Sequence, residues 1–575
     1  MSADSIKRKP NILLVVTDDQ GIGDLGCQGN PVLKTPALDS FQSRAVRLTN
    51  FHVGPTCAPT RAGLLTGRYH NCTGVWHTIM GRSLLRRDEV TLAEVLQKDG
   101  YATGLFGKWH LGDNFPMRPQ DNGFEEVVCH YGGGIGQTPD HWGNDYFDDT
   151  YFERGEPKKF EGYCTDVWFR LATDFMSRHR EEPFFCYLAT NAPHEPFNVP
   201  DSYADVYRGQ VPEKRARFYG MIANIDENFA RLMEFMAREE LAEDTIIIFM
   251  GDNGTSAGAE VDRETDFVTD GYNAGFRGVK SSEYDGGHRV PFFIRWERGG
   301  WSGGCDVETL TANIDLMPTL LAACGLSLPE KNPVHGRNIG TLLSEGENVE
   351  WPDRVITTDS QRVEHPIKWK QSAVMTQRWR LINGAELYDI RSDPGQERDL
   401  AETEGATVER LRAEYEKWWE TVSPRFGEYV RIVLDPDQET ETVLTCHDCH
   451  GDVPAWNQFL VREGLMGNGF WALEAVHPGK YRFEIRRWPR EENRPLREGI
   501  SGEVTWYSGG KALPLVTARI EAGGAKEEKA IGPDDTGIVF ELDLVAGPFE
   551  LRTILEGEGG VRLGAYYVYV KKGWH

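Results

Sequence analysis

Four short apolar runs, each followed closely by residues that can bind ions or carry protons, constrain this chain more than any other feature. Asn11-Ile12-Leu13-Leu14-Val15-Val16 leads into Thr17-Asp18-Asp19-Gln20, and Thr103-Gly104-Leu105-Phe106 leads into Gly107-Lys108-Trp109-His110. Phe184-Phe185-Cys186-Tyr187-Leu188-Ala189 precedes Asn191-Ala192-Pro193-His194. Thr245-Ile246-Ile247-Ile248-Phe249-Met250 precedes Gly251-Asp252-Asn253-Gly254. A nearly continuous apolar run of this length reads as a strand buried on both faces, as in parallel sheets. Helical patterns lie between the runs. Thr91 to Gly100 has an N-cap, an apolar face and a closing glycine, and Asp226 to Leu241 reads as a long amphipathic helix. The first two-thirds of the chain therefore predicts an α/β fold, a large mixed, mostly parallel sheet with helices on both faces. Ligands of such sheets bind outside the carboxyl ends of the strands, so four chemically equipped strand ends predict one shared site.

At 575 residues the chain is too long for one core. The texture changes twice. From about Trp351, short strand-like segments (354–358, 372–376, 379–382) and a charged helix (407–421) read as a smaller α+β subdomain with a short antiparallel sheet. Beyond Ser423-Pro424-Arg425-Phe426-Gly427 nearly everything reads as strand and turn, which predicts an all-β sandwich or jelly roll. The expected domains are 1–350, 351–425 and 426–575. The segment from Tyr131 to Tyr163, rich in glycine, aspartate and aromatics, has no clear period and reads as a long functional loop. The charge of −26 argues against nonspecific nucleic-acid binding, and no apolar run is long enough to span a bilayer. The first ten residues lack the apolar segment of a signal peptide, and the ten cysteines are dispersed. Both point to a cytoplasmic protein; a removed signal peptide would make it periplasmic or secreted.

Asp18, Asp19, Asp252 and Asn253 supply hard oxygen donors at two of the strand ends. Either pair alone reads as a turn or a cap. Together at one site, three carboxylates would repel strongly without a cation, and oxygen-only donors favour Ca²⁺ or Mg²⁺ over Zn²⁺. Lys108, His110, His194 and Lys280, with Arg61, would give a tetrahedral anion several donors and two imidazoles able to move protons. Between the first two runs lies Gly54 to Arg68, a loop turning into a helix, with Pro59 suited to the first turn and Gly67 to the stop. Cys57 falls at the helix start, where backbone N–H groups favour negative charge, and Arg61 lies one turn on. Alone, Cys57 reads as a buried, inert thiol.

These stretches together resemble a type I sulfatase of the alkaline phosphatase superfamily. Cys57-Ala58-Pro59-Thr60-Arg61 matches the C-x-P-x-R signature of that family, and Asn11 to Gln20, Gly107 to Gly112, Ala192 to His194, Gly251 to Gly254 and Gly278 to Pro291 match its other motifs. The resemblance spans about residues 10 to 425. It implies that Cys57 is oxidised to formylglycine by a formylglycine-generating or sulfatase-maturing enzyme. It implies metal binding, usually of Ca²⁺, by Asp18, Asp19, Asp252, Asn253 and the modified residue 57. It also implies a covalent sulfo-enzyme intermediate. On the same matches Arg61 and Lys108 hold the formylglycine, His110 is the base that releases sulfate, and His194 and Lys280 bind sulfate and protonate the leaving oxygen.

Specificity is expected from the 131–163 loop and the second subdomain, with His141, Trp142, Asn144, Asp145, Arg362, His365 and Trp369 as candidates. Aromatic and amide-rich surfaces suit sugar rings, which favours a sulfated saccharide over a small aryl sulfate ester. Two other readings are a phosphonate or phosphodiester hydrolase of the same superfamily and a catalytically silent carbohydrate-binding protein. Cys446-His447-Asp448-Cys449-His450 matches the c-type haem pattern and resembles part of a zinc site. It has no second cysteine pair nearby, so it reads as structural residues at a strand end.

Overall fold

The computed structural model describes residues 9–573. The stretch Met1 to Arg8, read above for its lack of an apolar segment, lies outside the described residues. The four apolar runs form four adjacent parallel strands, in the spatial order Thr245–Gly251, Asn11–Thr17, Phe184–Ala189, Ala102–Lys108. A fifth parallel strand, Glu126–His130, follows beside Ala102–Lys108. The sheet has ten strands in all and is mixed, because Phe292–Arg295 runs antiparallel to Thr245–Gly251.

Alternation along the central strand shows why both faces are covered. Ile12, Leu14 and Val16 enter one core with Ala58, Ala62 and Leu65, while Leu13 and Val15 enter the opposite core with Phe41, Trp168 and Phe229. Every residue of the central strand is buried, which explains its unbroken apolar sequence.

Two readings change. The 131–163 segment contains two strands, Thr150–Glu153 and Glu156–Lys159, which extend the sheet at one edge as a hairpin. Glu156–Lys159 is wholly exposed, so it carries no apolar alternation to betray it. The long helix begins at Glu213 rather than Asp226 and ends at Arg238. Its first turns carry Glu213, Lys214, Arg215 and Arg217, which mask the apolar face in sequence.

A four-stranded antiparallel sheet spans residues 356–389, and the helix Gly405–Val422 packs against it through Val408, Leu411, Tyr415 and Trp418. Residues 432–572 form a seven-stranded and a four-stranded sheet. These sheets share one core, Leu473, Ile520 and Leu551 meeting Phe483, Phe540 and Val568. Among the described residues no helix is long and apolar enough to cross a membrane.

Candidate active site

The carboxyl ends of the central strands converge as their sequence implied. Cys57 opens the helix Cys57–Thr66, which closes at Gly67 in a left-handed turn (φ 66°). Its thiol, an Asp18 oxygen and an Asp252 oxygen all lie within 4.8 Å of one another. The Arg61 guanidinium, fully buried one helical turn on, donates to Asp252 Oδ2 at 2.7 Å and to the Lys108 carbonyl at 3.1 Å. Lys108 Nζ donates to Asp18 Oδ2 at 2.6 Å. Asp19, at φ 68°, turns the chain so that its N–H meets Asp252 Oδ1 at 3.0 Å. Asp19 Oδ1 accepts from Asn253 Nδ2 at 2.9 Å and lies 2.6 Å from Lys280 Nζ. His194 Nε2 is 3.9 Å from Asp19 Oδ2.

All the sequence-predicted metal ligands and cations therefore share one cluster, with His194 at its margin. His110, two residues beyond the strand end, adopts φ 62° and donates its Nε2–H to the Thr78 carbonyl at 2.9 Å. That bond fixes the tautomer and leaves Nδ1 buried without a partner. Asp18 Oδ1 and Asn253 Oδ1 are likewise buried without partners. Among the described residues other buried acceptors also lack partners, but Asp18 Oδ1 and Asn253 Oδ1 belong to the crowded carboxylate set, where a cation would fill them.

The electrostatics follow from crowding. Burial pushes Asp252 up to about 6, and the Asp18 charge adds to it. Burial also raises Asp18, more than the Lys108 ammonium can offset. Asp19 goes the other way: burial acts to raise it, but Lys280 and then His194 hold it well below the usual carboxylate range. Burial acts to lower Lys280, yet Asp19 together with its acidic neighbours outweighs burial and keeps the ammonium charged. Burial raises the Cys57 thiol despite Lys108 and Lys280, so an unmodified cysteine here is protonated and a poor nucleophile. Burial and then Lys108 lower His110 well below its ordinary value, and burial with Lys280 brings His194 to about 4.

Sequence reading missed what covers the two histidines. A Cβ on Gly133 would lie 2.3 Å from His110 Cε1, and one on Gly134 would lie 3.1 Å from His194 Nδ1. The run Gly132-Gly133-Gly134 was the available signal, since only glycine lets backbone approach imidazoles this closely. Of the specificity candidates, Arg362 donates to Ser281 Oγ at 3.4 Å, beside Lys280, and is exposed at the rim. The rings of His365 and Tyr429 are 6.2 Å apart. Trp369 stacks on Tyr415 at 3.6 Å, and Asn144 bonds to Asp140 and the Thr150 carbonyl. Asp145 accepts from the Phe147 N–H within its own loop. Trp142 packs edge-on against Trp488 of the C-terminal sandwich at 5.8 Å, and the His141 carbonyl accepts from Gln458 of the same sandwich. The loop is thus held by the third domain as much as by the first.

A sheet whose carboxyl edge gathers three carboxylates, an amide, three cations and a signature helix is the framework of a hydrolase acting on a tetrahedral oxyacid ester. Residues 10–326, more than half of the chain, match the sulfatase family, and residues 279–419 match the C-terminal region of N-sulphoglucosamine sulphohydrolase. The chain belongs to the sulfatase family, within the alkaline phosphatase superfamily, and is a sulfuric ester hydrolase. It is 29% identical to human N-acetylgalactosamine-6-sulfatase over 373 residues, 61% of this chain and 69% of the relative. It is 27% identical to mouse arylsulfatase J over 406 residues, 66% of this chain and 65% of the relative. Among solved structures, Ps i-CgsB in complex with k-i-k-neocarrahexaose superposes with a TM-score of 0.64 at 25% identity. That match covers 74% of this chain and 95% of the other.

Proposed function

We propose that this chain hydrolyses a sulfate ester on a carbohydrate, with residue 57 converted to formylglycine and a divalent metal held by Asp18, Asp19, Asp252 and Asn253. The observation that carries this reading is the pair of orphaned acceptors, Asp18 Oδ1 and Asn253 Oδ1, buried within the cluster that also holds Asp252 and Cys57. The donor set fits a hard cation: every side chain in it offers oxygen, and like charges crowd there. Ca²⁺ is the metal favoured, with Mg²⁺ as the alternative. When bound it would neutralise the carboxylates and polarise a sulfate oxygen. As a hydrated aldehyde, residue 57 would offer one hydroxyl to attack sulfur and a second to expel sulfate.

The residues of the chain then take distinct parts. Arg61 and Lys108 fix Asp252 and Asp18 and supply positive charge where sulfate charge builds. His110, neutral and with Nδ1 bare, accepts the proton whose loss releases sulfate. Lys280 remains an ammonium, while His194 is neutral and donates its Nδ1–H to the Glu195 carbonyl at 2.5 Å. Lys280 is therefore the group with a proton to give the leaving oxygen, and His194 accepts a hydrogen bond nearby. A maturing enzyme is the partner this chemistry requires.

A relative named N-acetylgalactosamine-6-sulfatase and a solved structure in complex with k-i-k-neocarrahexaose support the carbohydrate, and the extents of the sheets support boundaries near 350 and 425. A cytoplasmic location is likewise proposed, supported by ten unpaired cysteines. The test uses protein whose residue 57 aldehyde is confirmed by mass, assayed in parallel on mono-sulfated saccharides and a phosphate diester. Sulfate turnover that falls at least roughly 10³-fold in Cys57→Ala is the expected result. A higher kcat/KM for the diester would overturn it.

A further inference from the structure

In the Cys446-His447-Asp448-Cys449-His450 motif the two cysteines lie together in the sandwich core, while the two histidines take separate partners. Cys446 Sγ donates to the Ala455 carbonyl at 3.1 Å, and Cys449 lies in the apolar core of the sandwich. His450 Nδ1 pairs with Glu364 Oε1 at 3.2 Å. His447 goes elsewhere. It belongs to a short turn, Cys446–Asp448, that follows the strand Thr442–Thr445 and docks on the catalytic domain. There the Met80 N–H donates to the His447 carbonyl at 2.8 Å, and Gly81 leaves no room for a Cβ against the His450 ring. Thr78, whose carbonyl holds His110, belongs to the same docked segment.

This docking sets the His447 ring 6.2 Å, centroid to centroid, from that of His110. His447 is 2% exposed. Its Nδ1–H donates to Asp448 Oδ1 at 3.0 Å, an arrangement that fixes the ring. Its Nε2 is buried with no partner. This buried imidazole nitrogen, held by a carboxylate and left unpartnered beside His110, lacks a hydrogen bond that a ligand hydroxyl would supply. A cavity of about 580 Å³, the size usual for small-molecule sites, reaches this turn at Asp448. It is lined by Asp113, Tyr131 and Asp140 of the catalytic domain and by Asp448 and Arg490 of the sandwich.

We propose that His447, delivered by the C-terminal sandwich, is a substrate-contacting residue: its Nε2 hydrogen-bonds a hydroxyl of the sulfated sugar, and Asp448 is the positioning residue that holds it. The proposal rests on the sulfatase reading above and assigns the third domain a share in substrate choice. An aryl sulfate has no such hydroxyl, so the contact is made only with a saccharide. A site that hydrogen-bonds a substrate hydroxyl discriminates strongly against compounds that lack it.

The test compares wild-type enzyme, His447→Ala, His447→Gln and Asp448→Asn on para-nitrophenyl sulfate and on mono-sulfated galactose and N-acetylgalactosamine regioisomers. For the saccharide best used by the wild type, His447→Ala is expected to lower kcat/KM about 10- to 100-fold. The ratio of saccharide to aryl sulfate kcat/KM is expected to fall at least about fivefold, and His447→Gln, whose amide reaches a similar position, is expected to recover part of the saccharide loss. Asp448→Asn is expected to raise KM for the saccharide alone. Equal losses on both substrates, or no loss on either, would overturn the role of His447 while leaving the sulfatase reading intact. An aldehyde-bearing wild type inert to every sulfate ester would overturn both.

Discussion

The cluster at the carboxyl edge and the cluster around Asp285 use the same kinds of side chain and lie a few residues apart in the chain, yet they end in opposite states. His52, Asp285 and His288 are close enough to hold a metal, as are Asp18, Cys57 and Asp252. Around Asp285, however, the chain supplies its own cation. Arg380 donates to Asp285 Oδ1 at 2.8 Å and to Asn50 Oδ1 at 2.9 Å. His52 Nδ1 and His288 Nδ1 are 2.8 Å apart, and His288 Nε2–H donates to the Glu283 carbonyl at 3.0 Å. That cluster is closed and fastens the Lys280 loop to the second subdomain. At the carboxyl edge Arg61 and Lys108 satisfy part of the carboxylate set and leave Asp18 Oδ1 and Asn253 Oδ1 open. Donor composition therefore does not separate these two clusters; they differ in whether the chain supplies partners to every acceptor.

The sharpest break comes from substitutions that should affect one cluster and spare the other. Asp18→Asn is expected to cut kcat/KM for a sulfate ester by about 10³-fold or more, since it removes both the charge of a proposed metal ligand and the anionic partner of Lys108. Arg380→Met is expected to lower unfolding free energy in urea by about 3–5 kcal/mol, because it leaves Asp285 buried and unpaired. Activity per folded molecule should stay within roughly tenfold, because the loop retains its other anchors. Gly133→Ala is expected to lower kcat about 10²-fold by displacing His110, with KM little changed.

The smallest effect is the pH dependence of the closed cluster. Burial brings His288 to about 4, against the opposing Asp285 charge, and lowers His52 well below its ordinary value. Both are neutral in the fold and gain protons more readily when unfolded. Their contribution is complete above about pH 6.5 and is lost as pH falls from there toward 4, by about 3 kcal/mol for His288 alone. Urea titrations across that window should show the decline in the wild type. Its absence would mean that the two histidines are already charged in the fold.

The same contrast marks how far the sequence could be read. The central strands were legible because strands buried on both faces must be apolar throughout, and their ends carry the polar residues that no core accepts. Asp18, Asp252 and Lys108 were legible through those ends, and Cys57 through its match to the family signature. The edge hairpin was not, because Glu156–Lys159 faces solvent and has no apolar phase. Trp142 and Trp369 were read as candidates for sugar contact, and the sequence does not show that one ring packs edge-on against Trp488 and the other stacks on Tyr415, since an aromatic residue looks the same in either setting. His447 was passed over because its meaning lies in a contact with His110, distant in sequence, which no local pattern encodes.

The most direct measurement is calorimetric titration of Ca²⁺ into metal-stripped, aldehyde-bearing protein, with Asp18→Asn and Arg380→Met alongside. The account predicts a single Ca²⁺ per chain, lost in Asp18→Asn and retained in Arg380→Met. Binding that survives Asp18→Asn but vanishes with Arg380→Met, or no binding to the wild type at all, would contradict it.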